Sequence, residues 1–174
     1  MGALHALLSF GNLLFSAVIR FSLFQTSEQE LSFAMSSVVV DTVGHIVDWT
    51  STVDERQVPY TIGFFVELAG DEGMPLFLFC CASLFISCIV SDSMLTGERI
   101  LDVLSRSNEN ITRAFARGIL GKPTIRIVKR GTFSKFRQLK LDEGVQSLGQ
   151  VKVPVVLPKA AYVTWFANQV VEEL

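Results

Sequence analysis

At 174 residues the chain has room for one ordinary domain, or for a small membrane anchor joined to a compact part. Charged residues make up 18%, against roughly 25% in average soluble proteins. With a mean hydropathy of +0.42, this composition favours the second arrangement. The formal net charge of −2 hides an uneven distribution, and the three cysteines, all within residues 80–88, exclude a disulfide framework.

Residues 3–19 form an apolar stretch interrupted by His5 and Asn12 and closed by Arg20. It has neither the basic start of a secretory signal nor the Arg-rich amphipathic character of a transit peptide. Two readings stand for the region 1–26: a spanning helix, or a helix lying in the membrane interface. Ser27-Glu28-Gln29-Glu30 has the capping-box pattern, which predicts a helix from there to about Trp49. On that helix Asp41, His45 and Asp48 fall at i, i+4 and i+7, a single stripe. Two carboxylates and an imidazole on one stripe can bind a divalent metal or relay protons, with Glu67 as the one further ligand on offer; the plainer reading is a solvated acidic face. The segment 58–70 is apolar but too short to cross a bilayer as a helix. Its Tyr60, Phe64 and Phe65 suit a membrane surface, completing an acidic helical and interfacial region over 27–73.

Residues 74–90 carry no charge. As a helix they measure about 26 Å, and neighbouring residues extend them towards the roughly 30 Å of a hydrocarbon core. Asp71 and Glu72 precede the stretch and Pro75 stands in its first turn, all suited to a helix start. A transmembrane helix over 74–95 is the expectation, with a buried core helix as the alternative. Cys80, Cys81 and Cys88 read as small packing residues.

An amphipathic juxtamembrane helix is predicted over 96–121, with Leu101, Leu104, Asn108, Ile111 and Phe115 as its packing seam and Gly118, Gly121 and Lys122-Pro123 as its stop. Beyond it, 124–130, 135–141 and 151–157 read as three short strands, the last an edge or irregular strand because of Pro154. A C-terminal helix follows over 159–174, so 122–174 forms a small basic sheet with a helix. The predicted fold class is therefore a mainly α membrane protein with one or two transmembrane helices, an amphipathic helical region and a small C-terminal α+β element.

Residues 1–91 hold two arginines against nine acids, whereas 110–141 hold nine basic residues and no acid. Lys/Arg excess beside a spanning helix is retained on the cytoplasmic or matrix side, which places the C-terminus there. The basic residues Arg113, Arg117, Lys122, Arg126, Lys129, Arg130, Lys135, Arg137 and Lys140 are candidates for binding anionic lipid headgroups or a partner subunit. Nucleic acid is not expected, since aromatic interleaving is limited to Phe133 and Phe136.

The chain has no Gly-rich phosphate loop, no Cys-x-x-Cys, no His-Glu-x-x-His and no Gly-x-Ser-x-Gly. The sequence thus predicts no enzyme, no cofactor and no small-molecule substrate. It predicts a non-catalytic accessory subunit of a multi-subunit membrane complex of respiratory type, in the inner membrane of a mitochondrion or bacterium. The alternatives are a proton- or metal-handling membrane module built on Asp41, His45 and Asp48, and a soluble interaction domain with 74–90 as its core helix.

Overall fold

Thr-Ile-Gly-Phe-Phe-Val-Glu-Leu, an apolar run without a two-residue period, is what a strand covered on both faces looks like. In the computed structural model, which describes residues 26–39, 46–69, 96–144 and 151–174, these residues form β2 (Thr61–Leu68), and all but Leu68 are buried. β1 (Ile46–Asp54) pairs antiparallel with β2 from Asp54 opposite Thr61 to Ile46 opposite Leu68, with an irregularity between Ile46 and Asp48. On the other side β3 (Thr124–Val128) runs parallel to β2, Gly63 beside Thr124 and Val66 beside Ile127. β4 (Val170–Glu173) closes the order β1-β2-β3-β4 by pairing antiparallel with β3. Residues 151–158 run along the outer edge of β1, where the Ser51 and Leu157 amides donate to the Val155 and Ser51 carbonyls, both at 2.8 Å.

A parallel pair needs a long crossover. The one between β2 and β3 includes α2 (Gly97–Ser107) and α3 (Glu109–Ala116), and α1 (Glu28–Val39) precedes β1. Ile62, Phe64, Val66, Ile125 and Ile127 alternate onto one sheet face and bury against Leu31, Met35 and Val38 of α1, Ile100 and Leu104 of α2 and Ile111 of α3. The opposite face carries Phe65 and Val128. α4 (Thr132–Asp142) covers it with Phe133 and Phe136, and α5 (Ala160–Ala167) with Tyr162 and Phe166. The Phe166 ring lies 5.4 Å from Phe65, 5.0 Å from Phe133 and 4.9 Å from Phe136, the spacing of tilted and offset aromatic pairs.

Local chemistry sets the helix ends. At α1 the capping box forms: the Ser27 amide donates to Glu30 Oε2 at 2.7 Å and the Glu30 amide to Ser27 Oγ at 3.2 Å. Thr96 caps α2, and Asn108 ends α2 and caps α3 by accepting from the Asn110 amide. α3 ends in a Schellman arrangement: Gly118 takes φ 65° and its amide reaches Phe115 O, while the Ile119 amide reaches Ala114 O.

The predicted fold class is corrected accordingly, from a mainly α membrane protein to an α+β fold with a four-stranded mixed sheet between two helical layers. Among the described residues no helix is long and apolar enough to cross a membrane. The proposed spans 74–95 and 3–19 lie outside the described residues. The helix expected to reach Trp49 is α1 only as far as Val39; Trp49 belongs to β1. The interfacial segment 58–70 contains the central strand β2. The single helix over 96–121 is two, broken at Asn108. The strand over 135–141 is part of α4, and the helix over 159–174 is α5 followed by β4.

Candidate functional site

At the end of the sheet where β1 finishes and β2 and β3 begin, the Phe65 face turns polar. Residues opposed in register share a side of the sheet, so Asp54, Thr61, Gly63, Thr124, Arg126 and Glu173 all fall on that face. Asp54 is 3% exposed and Arg126 4%. Their nearest charged atoms, Asp54 Oδ2 and Arg126 Nη2, are 3.5 Å apart, an ion pair without a hydrogen bond.

The hydrogen bonds of Asp54 go elsewhere. Its Oδ1 accepts from the Arg56 amide at 3.1 Å and from Arg56 Nε at 2.9 Å. Its Oδ2 accepts from Arg56 Nη2 at 2.6 Å and from the Thr124 hydroxyl at 2.9 Å. Arg56 also donates to both carboxylate oxygens of Glu173, at 2.9 and 2.5 Å, tying the end of β1 to β4. Arg126 sits over the Phe65 ring, its guanidinium carbon 4.2 Å from the ring centre. Arg126 Nε and Nη2 are buried and meet no hydrogen-bond acceptor among the described residues.

These contacts set the charges. Burial alone would raise the pKa of Asp54, but the Arg56 side-chain and backbone bonds, the Thr124 hydroxyl and the field of Arg126 outweigh it and hold the carboxyl well below its usual range. The Asp54 and Glu173 carboxylates push Arg56 up. Desolvation pushes Arg126 down, opposed by Asp54 and assisted by Arg56. Glu173 is held low chiefly by its hydrogen bonds from Arg56.

Beside the cluster lies a cleft of about 490 Å³ whose walls include Thr61 and Thr124 of the sheet, Thr96, Gly97 and Glu98 at the start of α2, and Lys122. Lys122 pairs with Glu98 across it. A Cβ at Gly97 would overlap the Pro123 carbonyl, so the absence of a side chain there lets α2 start against the turn into β3. A Cβ at Gly63 would likewise overlap Arg126 Nη2.

The residues singled out from sequence are scattered. Asp41 and His45 lie outside the described residues. Asp48 pairs with Arg137. Glu67 caps α4, accepting from the Gly131 amide at 2.7 Å and the Phe133 amide at 2.9 Å. Among the described residues no three His, Cys, Asp or Glu side chains are grouped to hold a metal. The basic tract is spread over α3, β3 and α4: Arg113 pairs with Glu109, Lys122 with Glu98 and Arg137 with Asp48. Lys140 donates to the Tyr162 hydroxyl. Arg117, Lys129, Arg130 and Lys135 are exposed, whereas Arg126 is enclosed and belongs to no surface patch. Asp54, Arg56, Thr124 and Glu173 escaped the sequence reading; the one signal was an arginine set between isoleucines in a strand, which marks a charged position only where the second face is also covered.

Residues 29–161 match the GH3 family C-terminal domain. The chain belongs to that family. Among solved structures, the chain is similar to the GH3.15 acyl acid amido synthetase with a TM-score of 0.62 at 20% identity, over 85% of this chain and 25% of that one. It is similar also to AtGH3.15 acyl acid amido synthetase in complex with 2,4-DB, with a TM-score of 0.59 at 17% identity, over 83% of this chain and 24% of that one. At these identities the likeness carries the fold, and the chain spans about a quarter of the length of those proteins. No curated protein matches by sequence.

The family match runs through residues 74–90, which lie outside the described residues, and replaces the reading of the chain as a membrane-complex subunit. With it go the respiratory-type accessory subunit, the inner-membrane location and the expectation of no enzyme: the chain is a GH3 C-terminal domain, and the solved structures that share its fold are acyl acid amido synthetases. The interaction-domain alternative lay nearer, in reading the chain as a folded domain and not as a membrane subunit.

Proposed function

We propose that the chain serves as the C-terminal domain of an acyl acid amido synthetase, an enzyme that forms an amide from an acyl acid. The observation that carries this is the family match over 29–161, together with a mixed sheet and helices that follow the synthetase fold over 85% of the chain. Amide formation from a free acid is slow in water because the carboxylate is a poor electrophile, so such an enzyme must hold and activate an anionic group. Cations are suited to that task, and this domain presents Arg126 enclosed within the sheet and Lys122, exposed and paired with Glu98, in the cleft wall.

The test is to recover the protein from its natural source through a tag after Leu174 and assay it against a panel of acyl acids and amino acids, reading amide products by mass spectrometry. The expected result is an acid-dependent amide formed by a polypeptide, or a complex, about four times the length of this chain. Recovery of the chain alone and without amide-forming activity would overturn the proposal.

A further inference from the structure

Arg126 faces its countercharge Asp54 only as an ion pair at 3.5 Å, and its buried Nε and Nη2 atoms meet no hydrogen-bond acceptor among the described residues. Buried N–H groups without acceptors carry a desolvation penalty that a more distant charge offsets only in part. The two unpartnered atoms, Nε and Nη2, form one edge of the planar group. Their N–H bonds point the same way, and this edge grips a carboxylate or phosphoryl group through two parallel hydrogen bonds. Nearby acceptors are already taken. Both oxygens of Asp54 are bonded twice, by Arg56 and Thr124, and both oxygens of Glu173 are bonded by Arg56.

Gly63 has no Cβ where Nη2 lies, which lets the guanidinium pack close against β2. The Thr52, Thr61 and Thr124 hydroxyls on the same face already donate to Val53 O, to the Gly121 and Lys122 carbonyls and to Asp54 Oδ2, so the two free N–H groups of Arg126 are the donors left for an oxyanion. Arg56 is the outermost member, its side chain 48% exposed. Its side chain is held by Asp54 and Glu173, so an anion reaching Arg126 by this route must displace Arg56 from those bonds.

We propose that the Nε/Nη2 edge of Arg126 is an oxyanion-binding site, reached past Arg56, that takes the carboxylate or phosphoryl group of a small ligand. It requires nothing of amide chemistry and stands or falls separately from it.

The test uses the full chain, isotopically labelled and titrated with acetate and, separately, with inorganic phosphate at constant ionic strength, following the arginine Nε–H resonances. Saturable movement of the Arg126 resonance is expected, and the tighter anion identifies the source as carboxylate or phosphoryl. Arg126→Lys keeps the charge but removes the two-bond edge, so it should weaken binding at least tenfold, while Arg117→Ala at the end of α3 leaves it unchanged. Arg126→Met should abolish binding with spectral dispersion intact; if it does not fold, the lysine variant decides. No saturable movement with either anion, or equal binding by Arg126→Lys, would overturn the proposal.

Discussion

Asp54 sits at the centre of a set of bonds that stabilises its ionised form against the cost of burial. Its pKa in the folded state lies below the value of about 3.9 for an unfolded aspartate. The folded protein therefore binds fewer protons in acid than the unfolded chain. The contribution of Asp54 is complete above about pH 4 and is lost as pH falls further. Asp54→Asn should lower stability by about 3 kcal/mol at pH 7, the scale for breaking a buried pair, and the gap to the parent should narrow below pH 4. Denaturant titrations at pH 7, 4 and 3 measure this; a gap that does not change with pH would contradict it. Glu173 shifts in the same direction, but its side chain is 40% exposed and solvent screens it, so its share is smaller. Gly97→Ala should lower stability by about 1–3 kcal/mol through overlap with the Pro123 carbonyl, readable as a lower urea midpoint. At this scale the sequence showed Arg126 as one of nine cations in an acid-free stretch. That pairing is invisible there, because its countercharges Asp54 and Glu173 lie 72 residues before it and 47 after it.

Among the elements, those governed by neighbouring residues were legible and those governed by distant ones were not. Ser27 and Glu30 form the cap that their spacing announces, and β3 falls within the strand expected over 124–130. The helix opened by that cap was expected to run to Trp49 and carry the Asp41, His45 and Asp48 stripe, yet β1 begins at Ile46 because β2 is there to pair with it; strand propensity reflects such partners more than the backbone. Lys135 to Leu141 alternates like a strand, but Phe133 and Phe136 are three apart and close under Phe166 as one helical face. The start of α4 depends on Glu67, 64 and 66 residues away from the amides it accepts. Glu67→Ala should cost about 1–3 kcal/mol by leaving buried amides unpaired, with hydrogen exchange at Gly131 and Phe133 accelerating more than at Ile125. Uniform acceleration would mean a global loss and not a lost cap. Phe166→Ala should cost about 3–5 kcal/mol, since its ring touches Phe65, Phe133 and Phe136 together.

Across the whole molecule, the contrast between the acidic first half and the basic stretch after it resolves differently from the two sides of a bilayer. Part of it is internal pairing: Asp54 with Arg126 and Asp48 with Arg137 join strands and helix from the two halves. The apolar content that suggested lipid includes a central strand covered on both faces, whose residues are unusually hydrophobic for that reason. Because β2 and β3 are parallel, Gly63 lies beside Thr124 and Phe65 beside Arg126, and the candidate site exists only in that register; a slip of one residue would turn Arg126 into the Ile62–Phe64–Val66 layer. Cross-strand nuclear Overhauser effects in the full chain test this most directly. The account expects backbone contacts linking Phe65 with Arg126 and Trp49 with Val66, whereas i to i+3 helical contacts running through residues 46–68 without any contact to 124–128 would contradict it.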